Sequence, residues 1–242
     1  MNQAYNKYTD DDFKVWRILF DRQMEQIPDV ASQEYIAGLQ KIKFTASEIP
    51  HFERTNVLLN ELTGWRLHVV EGLIPNKEFF ELMANRNFPA STWLRTIAQL
   101  DYLEEPDMFH DVFGHVPMLT NQPLCNFLAE LSRIALRFID NPHAIEIISR
   151  LYWFTIEFGL INENGKLKIY GAGILSSRGE SHYALKSPVP QRVPFNVREM
   201  FDTPYIKEKY QDKYFVIDSY EQLFGSIPAI EETLEEDISM LV

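Results

Sequence analysis

The sequence predicts a mainly α-helical fold with a small β component (α+β) over residues 1–242. In six stretches, apolar residues recur every three or four positions, which is the spacing of one helical face. Strand-like runs are fewer and shorter. The chain contains no internal repeat, low-complexity tract or Gly/Ser linker, so we expect a single domain.

Four helices are predicted in the N-terminal half. Thr9 and Asp12 form a capping box that begins the first of them. Asn76 is expected to cap the fourth, and Gly64 to follow the end of the third. The apolar faces of the four helices consist, in order, of Phe13, Trp16, Leu19 and Phe20; of Ile36, Leu39 and Ile42; of Val57, Leu58 and Leu62; and of Phe79, Phe80 and Met83.

Two longer helices are predicted in the C-terminal half, over residues 122–139 and about 143–158. Asn164-Gly165 predicts a hairpin turn between a strand near Ile161 and a strand over residues 166–170. Weak alternation over residues 66–70 and an apolar run at 214–217 predict two further strands. The acidic tail, residues 231–242, is expected to be either a surface helix or frayed.

Net charge limits the classes of partner. The chain has 23 basic and 35 acidic residues and a net charge of −12, which disfavours nucleic acid and anionic membranes. No stretch approaches the roughly 20 apolar residues of a membrane helix. The N-terminal dozen residues resemble no signal peptide, so we expect a cytoplasmic protein. The one cysteine, Cys125, lies in an apolar run and is expected to be a buried small hydrophobe.

Two histidines stand out as candidate metal ligands. His110 and His115 lie close together in an otherwise apolar segment. On a continuous α-helix their spacing would place them about 140° apart and about 7.5 Å along the axis, which is poor for sharing one ion. Gly114 and Pro117 alter this geometry, so His110 can project from a helical turn while His115 turns in from its end. The alternative is two structural imidazoles.

Glu157 is the candidate third ligand, because it lies in the most apolar window of the chain. A buried carboxylate is costly unless it is paired or bound to metal, and its window contains no Arg or Lys. Two imidazoles and one carboxylate leave about half of an octahedral shell open, which is the facial arrangement of ferrous oxygenases. Zinc hydrolysis is the rival chemistry, although the residues between the histidines do not match the zinc protease motif. A non-enzymatic helical interaction protein is the third possibility.

Four segments carry a family resemblance. They are Pro106-Asp107-x-x-His110-x-x-x-Gly114-His115-Val116-Pro117, Gly64-Trp65-Arg66-Leu67, Tyr152-Trp153-Phe154-Thr155-Ile156-Glu157-Phe158-Gly159 and Tyr170-Gly171-Ala172-Gly173-Ile174-Leu175-Ser176-Ser177. In order and spacing they resemble the pterin-dependent aromatic amino acid hydroxylases, with bacterial phenylalanine 4-hydroxylases most similar. The similarity covers about residues 12–224 and implies one catalytic domain of that type.

The resemblance implies roles for individual residues. His110, His115 and Glu157 match the catalytic iron ligands. The positions that match substrate-binding groups are Arg95 for the carboxylate, Pro106 and Trp153 for the ring, and Ser176 and Glu180 behind the iron. The positions that match pterin contacts are Leu73, Ile74, Phe79, Asp111 and Tyr152. Asp111 stands where animal members have Glu and Pro89 where they have His, so the pterin contacts follow less directly than the iron ligands.

The implied function is hydroxylation of L-phenylalanine to L-tyrosine, with Fe(II), a tetrahydropterin and O2. Trp153 favours phenylalanine, and tryptophan hydroxylation is the alternative within the family. The implied partners are the small substrate and pterin only. Because this chain lacks the C-terminal helix that makes animal enzymes tetramers, we expect a monomer or small homo-oligomer.

Overall fold

The computed structural model describes residues 2–101, 103 and 105–240, so the last two residues of the predicted acidic tail lie outside the described residues. The described α-helices are α1 (Asp10–Met24), α2 (Ile27–Val30), α3 (Gln33–Ile42), α4 (Phe52–Thr63), α5 (Asn76–Ala84), α6 (Gln122–Arg137), α7 (Pro142–Tyr152), α8 (Ala172–Leu175), α9 (Arg178–Lys186), α10 (Val197–Asp202), α11 (Tyr220–Gly225) and α12 (Ile227–Ser239). The strands are β1 (Arg66–Val69), β2 (Asn87–Ala90), β3 (Leu160–Glu163), β4 (Lys166–Ile169), β5 (Gln191–Pro194) and β6 (Lys213–Ile217).

Two further kinds of helix complete the structure: 3-10 helices, which are wound more tightly than an α-helix, and π-helices, which are wound more widely. The 3-10 helices are Tyr5–Lys7, Ile97–Gln99 and Val116–Thr120, and the π-helices are Phe109–His115 and Trp153–Glu157. The predicted α+β class is therefore confirmed. Within the described residues, no helix combines the length and apolar character needed to cross a bilayer.

Two small sheets support the helices. The strands β1 and β2 pair in parallel, with Arg66 opposite Asn87. The second sheet has the order β4-β3-β6-β5, in which β3 and β4 form the predicted antiparallel hairpin. Asn164 and Gly165 have φ values of 53° and 77°, the left-handed conformation that this two-residue turn requires.

The helix α6 packs against four other helices, α5, α7, α11 and α12. Its buried residues include Cys125, whose thiol lies 3.2 Å from the Leu119 carbonyl oxygen, so the predicted buried cysteine is confirmed. One apolar core runs from Val15 in α1 to Leu234 in α12. The described part of the acidic tail is therefore helical to Ser239 and packs on the surface of this core, the first of the two predicted alternatives.

Several helix boundaries and faces match the prediction. Thr9 and Asp12 form the predicted capping box, and α4 is followed by Gly64 at φ 77°. Asn76 was predicted to cap α5, which is wrong, because Pro75 is the cap and Asn76 is the first helical residue.

The predicted buried face of α4 is also wrong. Val57 is 59% exposed and Leu62 is 42% exposed. The residues that α4 buries are Phe52, Thr55, Leu59 and Thr63, so two threonines occupy positions of the face that packs inward. Apolar spacing identified the helix but not the side that faces the core.

Candidate metal centre and active site

Both segments that carry the candidate ligands are π-helices. In a π-helix each N–H bonds to the carbonyl five residues earlier, so residues five apart lie on successive turns. His110 and His115 lie five apart in the Phe109–His115 π-helix and therefore face the same side. The wide turn, rather than a bend at Gly114, brings the two imidazoles together.

The π-helix that carries the two histidines ends at His115, two residues before Pro117. The 3-10 helix Val116–Thr120 follows directly, with Pro117 in its first turn. A proline is tolerated there because the missing N–H would have no helical partner. Two tight turns therefore continue the chain past His115 into the core.

The three predicted ligands converge. The Nε2 atoms of His110 and His115 are 3.3 Å apart. The Glu157 carboxylate lies 3.5 Å from Nε2 of His110 and 3.1 Å from Nε2 of His115. Donors that share one ion at about 2.1 Å lie roughly 3 to 3.5 Å apart. The donor set, two imidazoles and one carboxylate on one side, therefore fits a single metal ion with open positions.

Ser176 orients one of the imidazoles. Its Oγ lies 2.9 Å from Nδ1 of His110. A proton held on Nδ1 by this bond leaves Nε2 with a free lone pair towards the other donors. The short helix α8, which contacts both π-helices, delivers Ser176 to this position. Its approach depends on Gly171, where a Cβ would lie 2.4 Å from the Glu157 carbonyl oxygen.

The charge of Glu157 is set by its surroundings. Burial opposes ionisation, but the neighbouring imidazoles of His115 and His110, together with hydrogen bonds from His115 and Tyr152, outweigh it and hold the pKa of Glu157 at about 2. Burial and the nearby Glu157 charge raise the pKa of Tyr152 well above its ordinary value. The site therefore presents an ionised carboxylate beside a neutral phenol.

Arg95, the predicted partner of a substrate carboxylate, is held by a buried aspartate. Nε and Nη2 of Arg95 each lie 2.9 Å from an oxygen of Asp107. Asp107 also accepts hydrogen bonds from the backbone N–H groups of Arg95 and His110. Asp107 therefore fixes the guanidinium relative to the first turn of the ligand-bearing π-helix.

The residues predicted to contact pterin lie in three places. Phe79 and Tyr152 meet edge to face, with ring centroids 5.5 Å apart. Leu73 and Ile74 lie in the loop between β1 and α5, where Leu73 is 76% exposed. Asp111 lies in the Phe109–His115 π-helix, where its Oδ2 accepts a hydrogen bond from the Ser91 backbone N–H at 2.8 Å. Burial raises the pKa of Asp111.

The residues predicted to surround the substrate lie on several elements. Trp153 begins the second π-helix and is half-buried, as is Pro106. Glu180 lies in α9, where it is buried and accepts hydrogen bonds from the Tyr214 hydroxyl at 2.8 Å and the Gln211 N–H at 3.3 Å. Burial raises the pKa of Glu180 to about 7.

Two residues of this region received no role from the sequence. Asp107 gave a signal, because it is acidic, precedes the apolar pair Met108-Phe109 and lies inside the recognised motif. Gln211 gave none, because it lies in the polar segment 207–212, where an exposed side chain is the ordinary expectation. It is nevertheless only 3% exposed.

The fold and the three converging donors define a helical protein with a mononuclear two-histidine, one-carboxylate metal centre. A family model of the biopterin-dependent aromatic amino acid hydroxylases matches residues 3–241. The chain belongs to this family. Membership leaves no support for the zinc hydrolase and non-enzymatic alternatives.

Similar proteins of bacterial origin extend the comparison. The phenylalanine-4-hydroxylase of Ralstonia nicotianae is 46% identical over 226 residues, 93% of this chain and 72% of that protein. The phenylalanine-4-hydroxylase of Chromobacterium violaceum is 44% identical over 224 residues, 93% of this chain and 75% of that protein.

Solved structures of the Chromobacterium violaceum phenylalanine hydroxylase share the fold. The structure with bound oxidised Fe(III) has a TM-score of 0.94 at 41% identity and matches 99% of this chain and 86% of that one. The structure with iron(III) and oxidised 7,8-dihydrobiopterin has a TM-score of 0.93 at the same identity and coverage.

Proposed function

We propose that this chain is an iron- and tetrahydropterin-dependent monooxygenase that hydroxylates L-phenylalanine to L-tyrosine with O2. The observation that carries the proposal is the convergence of His110, His115 and Glu157 within 3.1 to 3.5 Å of one another. Two similar proteins named phenylalanine-4-hydroxylase, at 46% and 44% identity, support the substrate assignment.

Different residues would hold the metal, the cofactor and the substrate. His110, His115 and Glu157 would hold Fe(II) and leave part of its coordination shell open. Bound iron and tetrahydropterin together supply the activation of O2 that hydroxylation of an aromatic ring needs. Ser176 keeps the Nδ1 proton of His110 in place, so that the imidazole presents Nε2 to the metal.

The substrate is held at both ends in this proposal. Arg95, fixed by Asp107, would pair with the amino acid carboxylate through the edge of the guanidinium that Asp107 leaves free. Pro106 and Trp153 would form walls against the aromatic ring. This arrangement needs no general base on the protein, because the side chains bind, orient and exclude water.

A second set of residues is assigned to the pterin. Phe79 would stack on its ring, while backbone groups of Leu73 and Ile74 and the side chains of Tyr152 and Asp111 would border it. The edge-to-face contact of Phe79 with Tyr152 supports a shared aromatic wall. The exposed Leu73 loop would provide the route of entry.

Phenylalanine, rather than tryptophan, is the proposed substrate. The indole of Trp153 packs against Tyr205 and Phe158, with both centroid distances 4.6 Å, and would take up space that a larger substrate ring needs. A pocket of this kind discriminates by only about 1–3 kcal/mol per methylene-sized change. We therefore expect a preference for phenylalanine over tryptophan rather than complete exclusion of tryptophan.

Turnover with defined components tests the proposal. The purified chain, loaded with Fe(II) and supplied with tetrahydrobiopterin, O2 and L-phenylalanine, should form L-tyrosine, with pterin oxidised in step. Hydroxytryptophan formation faster than tyrosine formation at equal substrate concentration would contradict the substrate assignment. Absence of both products, with iron bound, would contradict the proposed activity.

We also propose a single catalytic domain that acts in the cytoplasm as a monomer or small homo-oligomer, without nucleic acid or membrane partners. The continuous core from α1 to α12 supports one domain. The net charge of −12 supports the absence of polyanionic partners. Sedimentation of the purified chain at micromolar concentration tests the oligomeric state, and a tetramer would contradict it.

A further inference from the structure

A buried amide links the predicted substrate wall to the body of the protein. Gln211, only 3% exposed, accepts a hydrogen bond at 3.0 Å from the indole Nε1 of Trp153. Its Nε2 donates to the Ile206 carbonyl oxygen at 2.7 Å. Its backbone N–H donates to the buried carboxylate of Glu180 at 3.3 Å. Both ends of the side-chain amide are therefore used.

The indole of Trp153 is fixed in two ways. Its ring packs against those of Tyr205, at an interplanar angle of 24°, and Phe158, at 31°. Packing of this kind sets the plane of the ring. The bond to Gln211 sets its rotation within that plane, because Nε1 is the only hydrogen-bond donor of an indole.

One loop, residues 203–212 between α10 and β6, supplies both Tyr205 and Gln211. Its far end is attached to α9. The Tyr210 hydroxyl lies against Gly179, where a Cβ would be 2.2 Å away, and the Tyr210 ring is 5.1 Å from that of Tyr183. The loop is therefore anchored at a fixed distance from the second π-helix, with Gln211 buried between them.

We infer that Gln211 is a positioning residue that fixes the orientation of Trp153 and thereby sets how well an aromatic amino acid fits the site. The inference rests on the proposed function. Only an amide offers an acceptor to the indole and a donor to the Ile206 carbonyl from one side chain of this length. Met has nearly the same shape and offers neither bond of useful strength.

A double-mutant cycle separates an effect through Trp153 from general damage. The four chains are wild type, Gln211→Met, Trp153→Phe and the double variant, with iron content and pterin KM measured for each. Lys209→Met is the matched control, because its ammonium lies on the same loop and, among the described residues, forms an ion pair with the exposed Asp212 alone, at 2.9 Å.

We expect the KM for phenylalanine to rise while kcat stays nearly the same. Gln211→Met should raise the KM for phenylalanine about tenfold, as expected for loss of a buried hydrogen bond that leaves its partner unsatisfied. The kcat, the pterin KM and the iron content should stay within about twofold. In the Trp153→Phe background, which has no indole N–H, the same substitution should change KM by less than about twofold. Lys209→Met should behave as wild type.

Two results would overturn the inference while leaving the proposed function intact. One is an unchanged phenylalanine KM in Gln211→Met, and the other is an equal rise in both backgrounds. If Gln211→Met does not fold, Gln211→Asn shortens the side chain by one methylene and so breaks the bond to the indole without burying a charge. Its KM for phenylalanine should rise in the wild-type background and change by less than about twofold in the Trp153→Phe background. An equal rise in both backgrounds would then overturn the inference.

The hydrogen bond itself is tested without turnover. The thermal unfolding midpoints of the four chains should be non-additive, because both single substitutions remove the same bond. Additive midpoints would overturn the inference. A wild-type chain that forms no tyrosine would contradict only the proposed function, and the midpoints would still decide whether Gln211 holds Trp153.

Discussion

Arg95 and Asp107 form a two-point ion pair in which each carboxylate oxygen faces one guanidinium nitrogen at 2.9 Å. Asp107 has no exposed surface. Burial opposes its ionisation, but the hydrogen bonds and charge of Arg95 outweigh burial and lower the pKa of Asp107. The pair therefore stays charged, and the guanidinium has a fixed direction before any ligand arrives.

The first prediction concerns Arg95→Lys. Lysine offers a point charge that cannot pair in two places with both Asp107 and a substrate carboxylate. We expect kcat/KM for phenylalanine to fall about 100-fold, which corresponds to about 2.7 kcal/mol of transition-state stabilisation. Steady-state kinetics at saturating pterin measures the change.

A substrate analogue and a control variant test whether Arg95 acts through the substrate carboxylate. Phenethylamine has the same ring and no carboxylate, so its slow turnover should be equal in wild type and Arg95→Lys. Arg17→Lys, at an exposed position of α1, should leave both substrates unaffected. An equal loss with phenethylamine would show that Arg95 acts on the structure rather than on the substrate.

The second prediction concerns the metal. His115→Gln removes one of three donors from a set whose atoms lie within 4.8 Å of one another. We expect bound iron to fall from about one per chain to less than about a tenth, with hydroxylation lost in proportion. Iron analysis after gel filtration measures occupancy. His143→Gln, on the exposed side of α7, is the control, and equal iron in the two variants would contradict the assignment.

The third prediction concerns Glu180 and pH. Burial raises the pKa of Glu180 to about 7 from 4.5, so the folded chain binds this proton more tightly than the unfolded chain does. The contribution of Glu180 to the free energy of unfolding is fully present below pH 4.5 and is lost as pH rises to about 7. The total loss is about 3 kcal/mol.

Glu180→Gln isolates this contribution, because glutamine cannot ionise. The free energy of unfolding of wild type, relative to Glu180→Gln, should decline between pH 4.5 and 8 by about 3 kcal/mol. Urea titrations at four pH values measure the difference. A constant difference across that range would show that the folded carboxyl titrates normally.

The fourth prediction concerns the approach of α3 to the ligand segment. At Gly38, a Cβ would lie 2.1 Å from the Pro117 carbonyl oxygen, two residues beyond His115. Gly38→Ala must push the two backbones apart, and we expect it to lower the free energy of unfolding by about 2–3 kcal/mol and to weaken iron binding. Gly225→Ala meets nothing within 4 Å and should be neutral or stabilising by up to about 1 kcal/mol. Chemical unfolding compares the two, and similar stabilities would contradict the contact.

Much of the helical framework could be predicted from the sequence, because apolar spacing and caps act locally. The capping box of α1, the hairpin at Asn164 and the long helix α6 all followed from neighbouring residues. The strands β2 and β5 were missed, because each contains a proline, at Pro89 and Pro194, which ordinarily argues against a strand. Strands of this kind are identified by the partner they pair with, which is distant in the chain.

In the candidate site, too, local features could be predicted from the sequence and contacts between distant residues could not. Residue type and burial pointed to His110, His115 and Glu157, and the structure brings them together. The helical geometry that joins the two histidines was predicted wrongly. The spacing rules for an α-helix give no sign that a segment will form a π-helix, in which each hydrogen-bonded turn spans five residues. Gln211 was missed because its burial depends on a loop folding over Trp153, a contact 58 residues away in the chain.

The π-helical turn at His110 and His115 bears on how metal sites are sought in sequences without known relatives. Searches for chelating pairs on helices test separations of three or four residues, which an α-helix favours. In this chain a separation of five brings two ligands together, because each hydrogen-bonded turn of a π-helix contains one residue more than that of an α-helix. Apolar segments containing His-x-x-x-x-His should therefore be ranked beside the familiar zinc spacings, particularly where an isolated acidic residue lies in another strongly apolar helix.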